Sequence, residues 1–354
     1  MNSRKILVQR FIKIGEFLRV SDWYDSKVPF LMCFTLLSML SAPAVSALVF
    51  PTQILSTSER MARWFSSFMF YSFFLAFGYL INDYADRDVD KRAGKEKLIH
   101  GMKESRIFLT MGVVITASVL PVLLVSRLSP YVLVMAALTF VLGASYSLPP
   151  LRFKERGVLG LIVSSAAQRC MPVMVTAGLF HPRTSLILLF LSCSFLSGLR
   201  YILIHQVIDI ENDRKADVHT FAEKNYAYCV RGIYAVFLLE IVSMALLLFM
   251  IRRPVIWLSV LPAVLLDSTA CMAVRNCMME PVFTTFYCVP GEAFYNIYLP
   301  LILTVLSVRE MPDMFIIVIC TCIYLFKPFR KRMNLAHRFI RNRTGNRTMK
   351  SRRT

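Results

Sequence analysis

The chain has 354 residues, of which 56% are hydrophobic, a formal net charge of +19 and a mean hydropathy of +0.56. The apolar residues form long blocks instead of recurring at helical or strand spacing, and this excludes an ordinary soluble domain. The sequence also lacks the alternating segments of about ten residues that characterise a transmembrane β-barrel. These features predict an integral membrane protein built from helices.

The first segment in chain order, residues 1–27, is basic and amphipathic. It contains no continuous apolar core between its charged residues, and this excludes a secretory signal peptide. Apolar residues interspersed with lysine and arginine are typical of a segment that lies on a membrane surface. We therefore expect a basic cytoplasmic segment that leads into the membrane.

Residues 28–327 are predicted to form the membrane domain. A hydrocarbon core about 30 Å thick requires roughly 20 mostly apolar residues per helix. Lipid offers no hydrogen-bond partners, so a spanning backbone must satisfy its own groups. Ten apolar blocks are therefore expected to be helices, the last two being the shortest: 28–50, 61–81, 107–126, 130–147, 158–180, 184–206, 230–251, 255–276, 291–308 and 313–327.

Residues 328–354 are predicted to be a disordered basic tail. From Lys327 to Thr354 the sequence has eleven Lys or Arg residues and no acidic residue. Such a charge attracts nucleic acid in some proteins. Next to a membrane span, attraction to anionic lipid is the simpler explanation, at about 1 kcal/mol per charge. We therefore expect membrane lipids as a partner of the tail, and no nucleic acid.

The loops between the blocks differ in charge. Lys and Arg are concentrated in 82–106, 148–157 and 207–229, whereas the intervening loops are short and less basic. The positive-inside rule places these three loops, and both termini, in the cytoplasm. Because every long polar loop lies on that face, we expect the active site there.

Two of these loops begin with acidic residues at helical spacing. Asn82, Asp86 and Asp90, here called the first acidic set, follow the second block. Asp209, Asp213 and Asp217, the second acidic set, follow the sixth, and each set is spaced i, i+4, i+8. If the helices continue, each set stacks on one face, where like charges repel unless a cation neutralises them. Solvated helix ends would explain one set alone, but two on the same membrane face favour a shared cation site. Mg²⁺ takes one or two carboxylates with waters and phosphate oxygens, so the two sets predict Mg²⁺ and a bound diphosphate.

Away from the block ends, charged residues lie inside the apolar blocks at Arg169, Arg200, Glu240 and Asp267. A charge within the bilayer costs at least about 2.5 kcal/mol, so each is expected to face a cavity or a partner. Arg200 precedes the second acidic set and is expected to bind the diphosphate. For Arg169 the alternatives are the same role or a structural ion pair, and Asp267 is a candidate for the cavity wall.

The motifs resemble those of the UbiA superfamily of intramembrane prenyltransferases. Asn82, Asp83, Asp86 and Asp90 match its first Asp-rich motif, and the set from Asp209 matches the second. The stretch from Tyr146 to Lys154 is similar to a third motif, a Tyr-Ser-x-Pro-Pro turn followed by basic residues. The resemblance extends from about residue 20 to about residue 305.

This resemblance implies an all-α integral membrane fold, a UbiA-like bundle of nine or ten transmembrane helices with a cytoplasmic cap over a central cavity. It implies catalytic roles for Asp86, Asp213, Tyr146 and Lys154. Mg²⁺ is expected on Asn82, Asp86, Asp90, Asp209, Asp213 and Asp217. Together with Arg200, the residues expected to bind the diphosphate are Asn82, Asp83, Lys97 and Arg152. Lys97 departs from the family pattern because Leu98, and not proline, follows it.

The sequence therefore predicts an enzyme, an Mg²⁺-dependent prenyltransferase. Its expected substrates are an isoprenoid diphosphate and a hydrophobic acceptor, either aromatic or lipid-like. Two alternatives stay open at this point. One is phosphoribosyl transfer from phosphoribosyl diphosphate to polyprenyl phosphate, which uses the same motifs. The other is a non-catalytic carrier of cations or lipids.

Overall fold

The computed structural model describes residues 9, 12–24, 26–41, 55–92, 94, 97–215, 220–251, 265, 294–323, 325–326, 330 and 334. In these residues the regular secondary structure is helical, without a β-strand. Asp217, Asp267, nearly all of the predicted span at 255–276 and most of the predicted tail lie outside the described residues.

A short helix, α1 (Val20–Trp23), precedes the first apolar helix, α2 (Val28–Ser41). The next elements are α3 (Thr57–Ala85), α4 (Arg87–Arg92), α5 (Glu104–Val125), α6 (Pro130–Ser147), α7 (Val158–Phe180) and α8 (Thr184–Lys215). The remaining described helices are α9 (Phe221–Lys224), α10 (Tyr226–Ile251), α11 (Leu299–Glu310) and α12 (Pro312–Ile323).

Six described helices, α3, α5, α6, α7, α8 and α10, are long and apolar enough to cross a membrane. Helices α2 and α12 are apolar but shorter. The prediction of a multi-pass, all-helical membrane protein is confirmed by these elements.

Local sequence determines where the helices around the site begin and end. Ser56 caps α3, because its Oγ accepts from the Glu59 N–H at 3.2 Å while the Glu59 carboxylate accepts from the Ser56 N–H at 2.9 Å. Pro130 occupies the first turn of α6, where its missing N–H costs nothing. Pro149 and Pro150 follow the end of α6 and cannot continue its hydrogen bonding. The chain therefore leaves α6 in a turn that carries the predicted basic residues.

The helices are arranged as inner and outer members of the bundle. In α2, every residue from Val28 to Met39 is buried, and this helix packs against α3, α7 and α11. In contrast, α5 and α6 expose large apolar side chains such as Leu109, Leu124 and Val141. We interpret these exposed apolar residues as the lipid-facing surface, because lipid is their favourable solvent. The inner helices thus surround the polar site.

Two glycines permit the close contacts that position site residues on α7. A Cβ on Gly198 of α8 would lie 2.5 Å from the Ser165 Oγ and 2.9 Å from the Arg169 Cγ. A Cβ on Gly160 would lie 2.3 Å from the Phe153 carbonyl oxygen, in the turn that carries Lys154. These contacts require glycine because any larger side chain would overlap the neighbouring atoms.

Candidate active site

A cavity of about 780 Å³ lies among the N-terminal segment, α3, α6, α7 and α8. Its volume is within the roughly 300–1,000 Å³ of small-molecule sites. Eight of the predicted site residues line it: Asn82, Asp86, Asp90, Lys97, Tyr146, Lys154, Asp209 and Asp213. The two acidic sets, far apart in sequence, therefore face one cavity.

The first acidic set spans a break between two helices. Helix α3 ends at Ala85 and α4 begins at Arg87, with Asp86 at φ −98° and ψ 6° between them. The condition that one helix continues through the set is therefore met only in part, because the backbone leaves helical geometry at Asp86. Backbone hydrogen bonds nevertheless preserve the four-residue spacing. The Asp86 N–H donates to the Asn82 carbonyl oxygen at 3.0 Å, and the Asp90 N–H donates to the Asp86 carbonyl oxygen at 2.8 Å.

Basic side chains neutralise this set from two sides. Asp86 accepts hydrogen bonds from Lys154 and from Nη2 of Arg152, the latter at 3.2 Å. Lys97 Nζ lies 2.6 Å from Asp83 Oδ1 and 2.5 Å from Asp90 Oδ2. The cations that were predicted to bind a diphosphate thus pair with the carboxylates predicted to bind Mg²⁺.

The two lysines differ in how firmly they hold a proton. Burial lowers the pKa of Lys154, and Asp86 only partly compensates. Burial alone would also lower the pKa of Lys97, but its ion pairs with Asp83 and Asp90 outweigh this effect and raise that pKa. Lys97 therefore stays a cation throughout the neutral pH range.

The second acidic set lies at the end of α8. His205 Nδ1 lies 3.0 Å from Asp209 Oδ2, and the Thr220 hydroxyl donates to Asp213 Oδ2 at 3.1 Å. Gln206 Oε1 accepts from the Ala222 N–H at 3.3 Å, and this bond ties α8 to α9. The predicted third member, Asp217, lies outside the described residues.

Tyr146 lines the cavity together with residues of both acidic sets. Its hydroxyl is hydrogen-bonded to Ser164, and the carboxylates that act on it electrostatically are Asp86 and Asp213. All four residues predicted to be catalytic are therefore close to the same part of the cavity.

Three predicted residues do not line the cavity among the described residues. Asp83 and Arg152 lie behind its wall, where they contact Lys97 and Asp86. Arg200 is 1% exposed and forms a bidentate ion pair with Glu240, with Nε–Oε2 at 2.5 Å and Nη2–Oε1 at 3.0 Å. The structure thus gives Arg200 a structural partner and does not bring it to the predicted diphosphate site.

Arg169, unlike Arg200, reaches the cavity. It lines the cavity from a π-helical turn of α7, Ala166–Cys170, and donates to the Ser26 carbonyl at 3.2 Å. Its guanidinium also lies over the rings of Phe30 and Tyr201, at 5.4 and 5.1 Å from their centroids. Aromatic faces and a carbonyl oxygen stabilise a guanidinium away from water.

Further residues of the cavity wall, among them Arg19, Lys27 and Gln168, were not predicted from the sequence. Arg19 Nη1 lies 3.0 Å from Asp83 Oδ1, so the N-terminal segment is tied to the residue that follows Asn82 of the first acidic set. The sequence shows two of these residues as basic side chains just before an apolar span, a pattern that normally indicates interfacial anchoring. Their folding back onto α3 and α7 depends on tertiary contacts.

The donor set fits Mg²⁺ bound jointly with a phosphorylated substrate. Within the described part of the chain, no three His, Cys, Asp or Glu residues converge to enclose a metal. Lys97, Lys154 and Arg152 occupy the carboxylates instead. Because Mg²⁺ needs only one or two carboxylates when phosphate oxygens and waters complete its shell, the facing acidic sets suit that ion. The residues that would hold it are Asn82, Asp86, Asp90, Asp209 and Asp213.

The fold and the site together define an intramembrane helical protein whose cavity combines facing carboxylates with lysines. Residues 30–289 match the UbiA prenyltransferase family. The chain therefore belongs to the UbiA prenyltransferase family, a family of prenyl-transfer enzymes.

Individual relatives agree with this membership. The lycopene elongase/hydratase of Halobacterium salinarum is 35% identical over 189 residues, covering 48% of this chain and 63% of the relative. A UbiA homolog from Archaeoglobus fulgidus bound to GPP and Mg²⁺ is similar with a TM-score of 0.56 and 15% identity, covering 86% of this chain and 98% of the homolog. A structure of a UbiA homolog from that organism bound to DMAPP and Mg²⁺ is similar with a TM-score of 0.52 and 15% identity. The match covers 88% of this chain and 97% of the homolog. These likenesses confirm the predicted UbiA-like fold.

Proposed function

We propose that this enzyme transfers a prenyl group from an isoprenoid diphosphate to an aromatic or lipid-like acceptor in a reaction that requires Mg²⁺. The observation that carries the proposal is the single cavity onto which both acidic sets, Lys97, Lys154 and Tyr146 open. The similar Archaeoglobus fulgidus structures, which hold GPP or DMAPP with Mg²⁺, support the same substrate class.

In this proposal the polar end of the cavity binds the leaving group. Lys97 and Lys154 bind phosphate oxygens, and Arg152 holds Asp86 in place from behind the wall. Bound Mg²⁺ would supply charge neutralisation to the departing diphosphate. Preorganised cations in a site with little water act strongly on charge that develops during the reaction.

Tyr146 is proposed to contact the reacting carbon. It lines the cavity with Asp86 and Asp213, whose carboxylates act on its hydroxyl, and this supports a place beside the bound diphosphate. An aromatic face stabilises positive charge by cation–π attraction, which suits a prenyl carbon that loses its leaving group. The apolar side chains of Phe74 and Leu75 on the same wall suit the prenyl chain.

The orientation and the ends of the chain belong to the same proposal. We place the polar end of the cavity in the cytoplasm, because the basic loops border the two acidic sets. Residues 1–27 and 328–354 are proposed to contact anionic lipid at that surface, with residues 28–327 as the membrane domain. Arg19 and Lys27 of the first segment also line the cavity.

The proposal is tested by diphosphate release from the purified full-length protein. The assay contains geranylgeranyl diphosphate, Mg²⁺ and a membrane lipid extract as the acceptor source. We expect diphosphate release that EDTA abolishes and that the Asp86→Asn substitution lowers by about 10² to 10³. Release only from phosphoribosyl diphosphate with polyprenyl phosphate would replace the proposal with that transfer. Cation or lipid uptake by reconstituted protein without any diphosphate release would identify a carrier instead.

A further inference from the structure

The wall of the cavity carries a row of linked polar side chains that begins at Tyr146. The Tyr146 hydroxyl bonds to Ser164, and Ser164 Oγ accepts from Gln168 Nε2 at 3.1 Å. The other end of the same amide, Gln168 Oε1, accepts a hydrogen bond from Lys27. All four residues line the cavity. Lys27 is therefore held on the wall that also carries Tyr146, in a chain separate from the acidic sets.

Lys27 differs from the other lysines of the site in its contacts. Lys97 and Lys154 pair with carboxylates of the first acidic set. Among the described residues, Lys27 Nζ instead contacts the neutral Gln168 amide and lies 4.8 Å from the centroid of the Tyr79 ring. Neither contact requires a fixed charge on the amine, so Lys27 is able to exist as a neutral base.

We propose that Lys27 is the base that takes the proton from the acceptor, and that Gln168 positions its amine. This inference rests on the proposed function. As the acceptor's nucleophilic atom bonds to C1 of the prenyl group, the C1–O bond breaks and the diphosphate leaves with the bonding electron pair. The proton that the acceptor loses moves to the lone pair of Lys27 Nζ, which becomes an ammonium.

The electrostatic surroundings of Lys27 favour this role. Burial lowers the pKa of Lys27, and the nearby cations Arg169 and Arg19 lower it further, to about 7, against a smaller opposing effect of Asp22. A neutral amine is then present in roughly half of the molecules at neutral pH, which suits a general base. The titratable and charged groups that face Lys27 are Arg19 and Asp22 of the N-terminal segment, Tyr79 of α3, Arg169 of α7 and His205 of α8.

The other basic groups on this wall suit the role less well. Arg19 and Arg169 are guanidinium groups, which do not deprotonate in proteins. His205 is engaged by Asp209, a residue proposed to hold Mg²⁺. Lys27 is thus the basic side chain of the described wall whose neutral form is accessible and which lies apart from the metal-binding residues.

The test compares four variants of the full-length protein with the wild type. These are Lys27→Met, Lys27→Arg, Gln168→Glu and the control Lys103→Met, which removes an exposed lysine at the start of α5. The assay measures kcat from pH 5.5 to 9 with geranylgeranyl diphosphate, Mg²⁺ and a membrane lipid extract. Affinity for geranyl S-thiolodiphosphate, which resists cleavage, reports diphosphate binding separately.

A general base predicts a specific pattern. Both Lys27 variants lose about 100-fold or more in kcat, with affinity for the thiolodiphosphate within about threefold of the wild type, whereas Lys103→Met is unchanged. In the wild type, kcat rises with pH through about 7 as Lys27 loses its proton. In Gln168→Glu the introduced carboxylate stabilises the ammonium, so the same rise shifts to higher pH.

Two outcomes would overturn the role of Lys27 as the base and leave the proposed prenyl transfer intact. If Lys27→Arg keeps wild-type kcat, the residue supplies only charge, for example to an anionic acceptor. If Lys27→Met keeps kcat within about threefold, Lys27 has no part in proton transfer.

A measurement without turnover completes the test. Trace acetylation of the purified protein with acetic anhydride, followed by mass spectrometry of the Lys27 peptide, should give a reactivity midpoint near pH 7, against about 10.4 for an unperturbed lysine. A midpoint near that unperturbed value would overturn the inference. If the wild type releases no diphosphate from any prenyl substrate, the proposed function fails and the base role with it, whatever the labelling shows.

Discussion

The ion pair between Arg200 and Glu240 yields a sharp prediction about stability. Both side chains are 1% exposed, and two hydrogen bonds of 2.5 and 3.0 Å join them. The guanidinium also lies 5.4 Å from the centroids of Tyr201 and Phe237. Removing one partner leaves a buried charge without its counterion, and this costs about 3–5 kcal/mol. Replacing both by apolar residues of similar volume removes both charges and is often neutral.

We therefore expect Glu240→Met and Arg200→Met each to lower the midpoint of thermal unfolding in detergent. At about 2 °C per kcal/mol for a large domain, the loss is at least about 6 °C. The double variant should recover most of it. Fluorescence-detected size-exclusion chromatography after heating measures these midpoints. Single variants within about 2 °C of the wild type, or a double variant less stable than either single one, would refute the reasoning.

The same variants separate a structural role from a role in the active site. Because Arg200 does not line the described cavity, the double variant should retain diphosphate release per folded molecule within about threefold of the wild type. A folded double variant without activity would restore the interpretation of Arg200 as a diphosphate-binding residue.

The remaining predictions concern the cavity. Asp86→Asn and Asp213→Asn should each lower kcat by about 10² to 10³. Asp88→Asn, on the exposed side of α4, should leave kcat unchanged. An equal loss of kcat in all three variants would contradict the assignment of Asp86 and Asp213 to the active site. Gly160→Ala should displace the turn that carries Lys154, because its Cβ would lie 2.3 Å from the Phe153 carbonyl oxygen, and kcat should fall by about tenfold or more. Gly112→Ala, which meets open space, is the matched control, and equal activity of the two would argue against that contact. Protease added to sealed right-side-out vesicles should leave the 82–106 loop uncut, and cleavage there would place the site on the outer face.

Most of the membrane architecture could be predicted because hydropathy is a local property. The predicted blocks at 107–126, 130–147 and 158–180 agree closely with α5, α6 and α7. Helices α3 and α8 extend beyond the predicted ends of their blocks, since polar residues continue a helix outside the apolar core. A hydropathy pattern ends where lipid ends, whereas the helix ends where its hydrogen bonds do.

The candidate site could be predicted in part. Spacing placed Asp86 and Asp213 at equivalent ends of two helices, and the structure brings them to one cavity. The partner of Arg200 was not predictable, because no local pattern joins it to Glu240, 40 residues away. The contact of Lys27 with Gln168 likewise joins residues 141 positions apart. Local patterns thus identify the charges, and only tertiary packing determines which charges pair.

The most direct test of the account follows the prenyl carbon itself. Purified protein is incubated with geranylgeranyl diphosphate labelled at C1, Mg²⁺ and membrane lipid extract, and the lipids are analysed by mass spectrometry. We expect a new labelled product that carries the prenyl mass with the wild type and with Asp88→Asn, and about 10² to 10³ times less of it with Asp86→Asn in the same time. If the labelled prenyl diphosphate substrate is recovered unchanged with the wild-type protein, for every prenyl chain length and acceptor extract, the proposed prenyl transfer is contradicted.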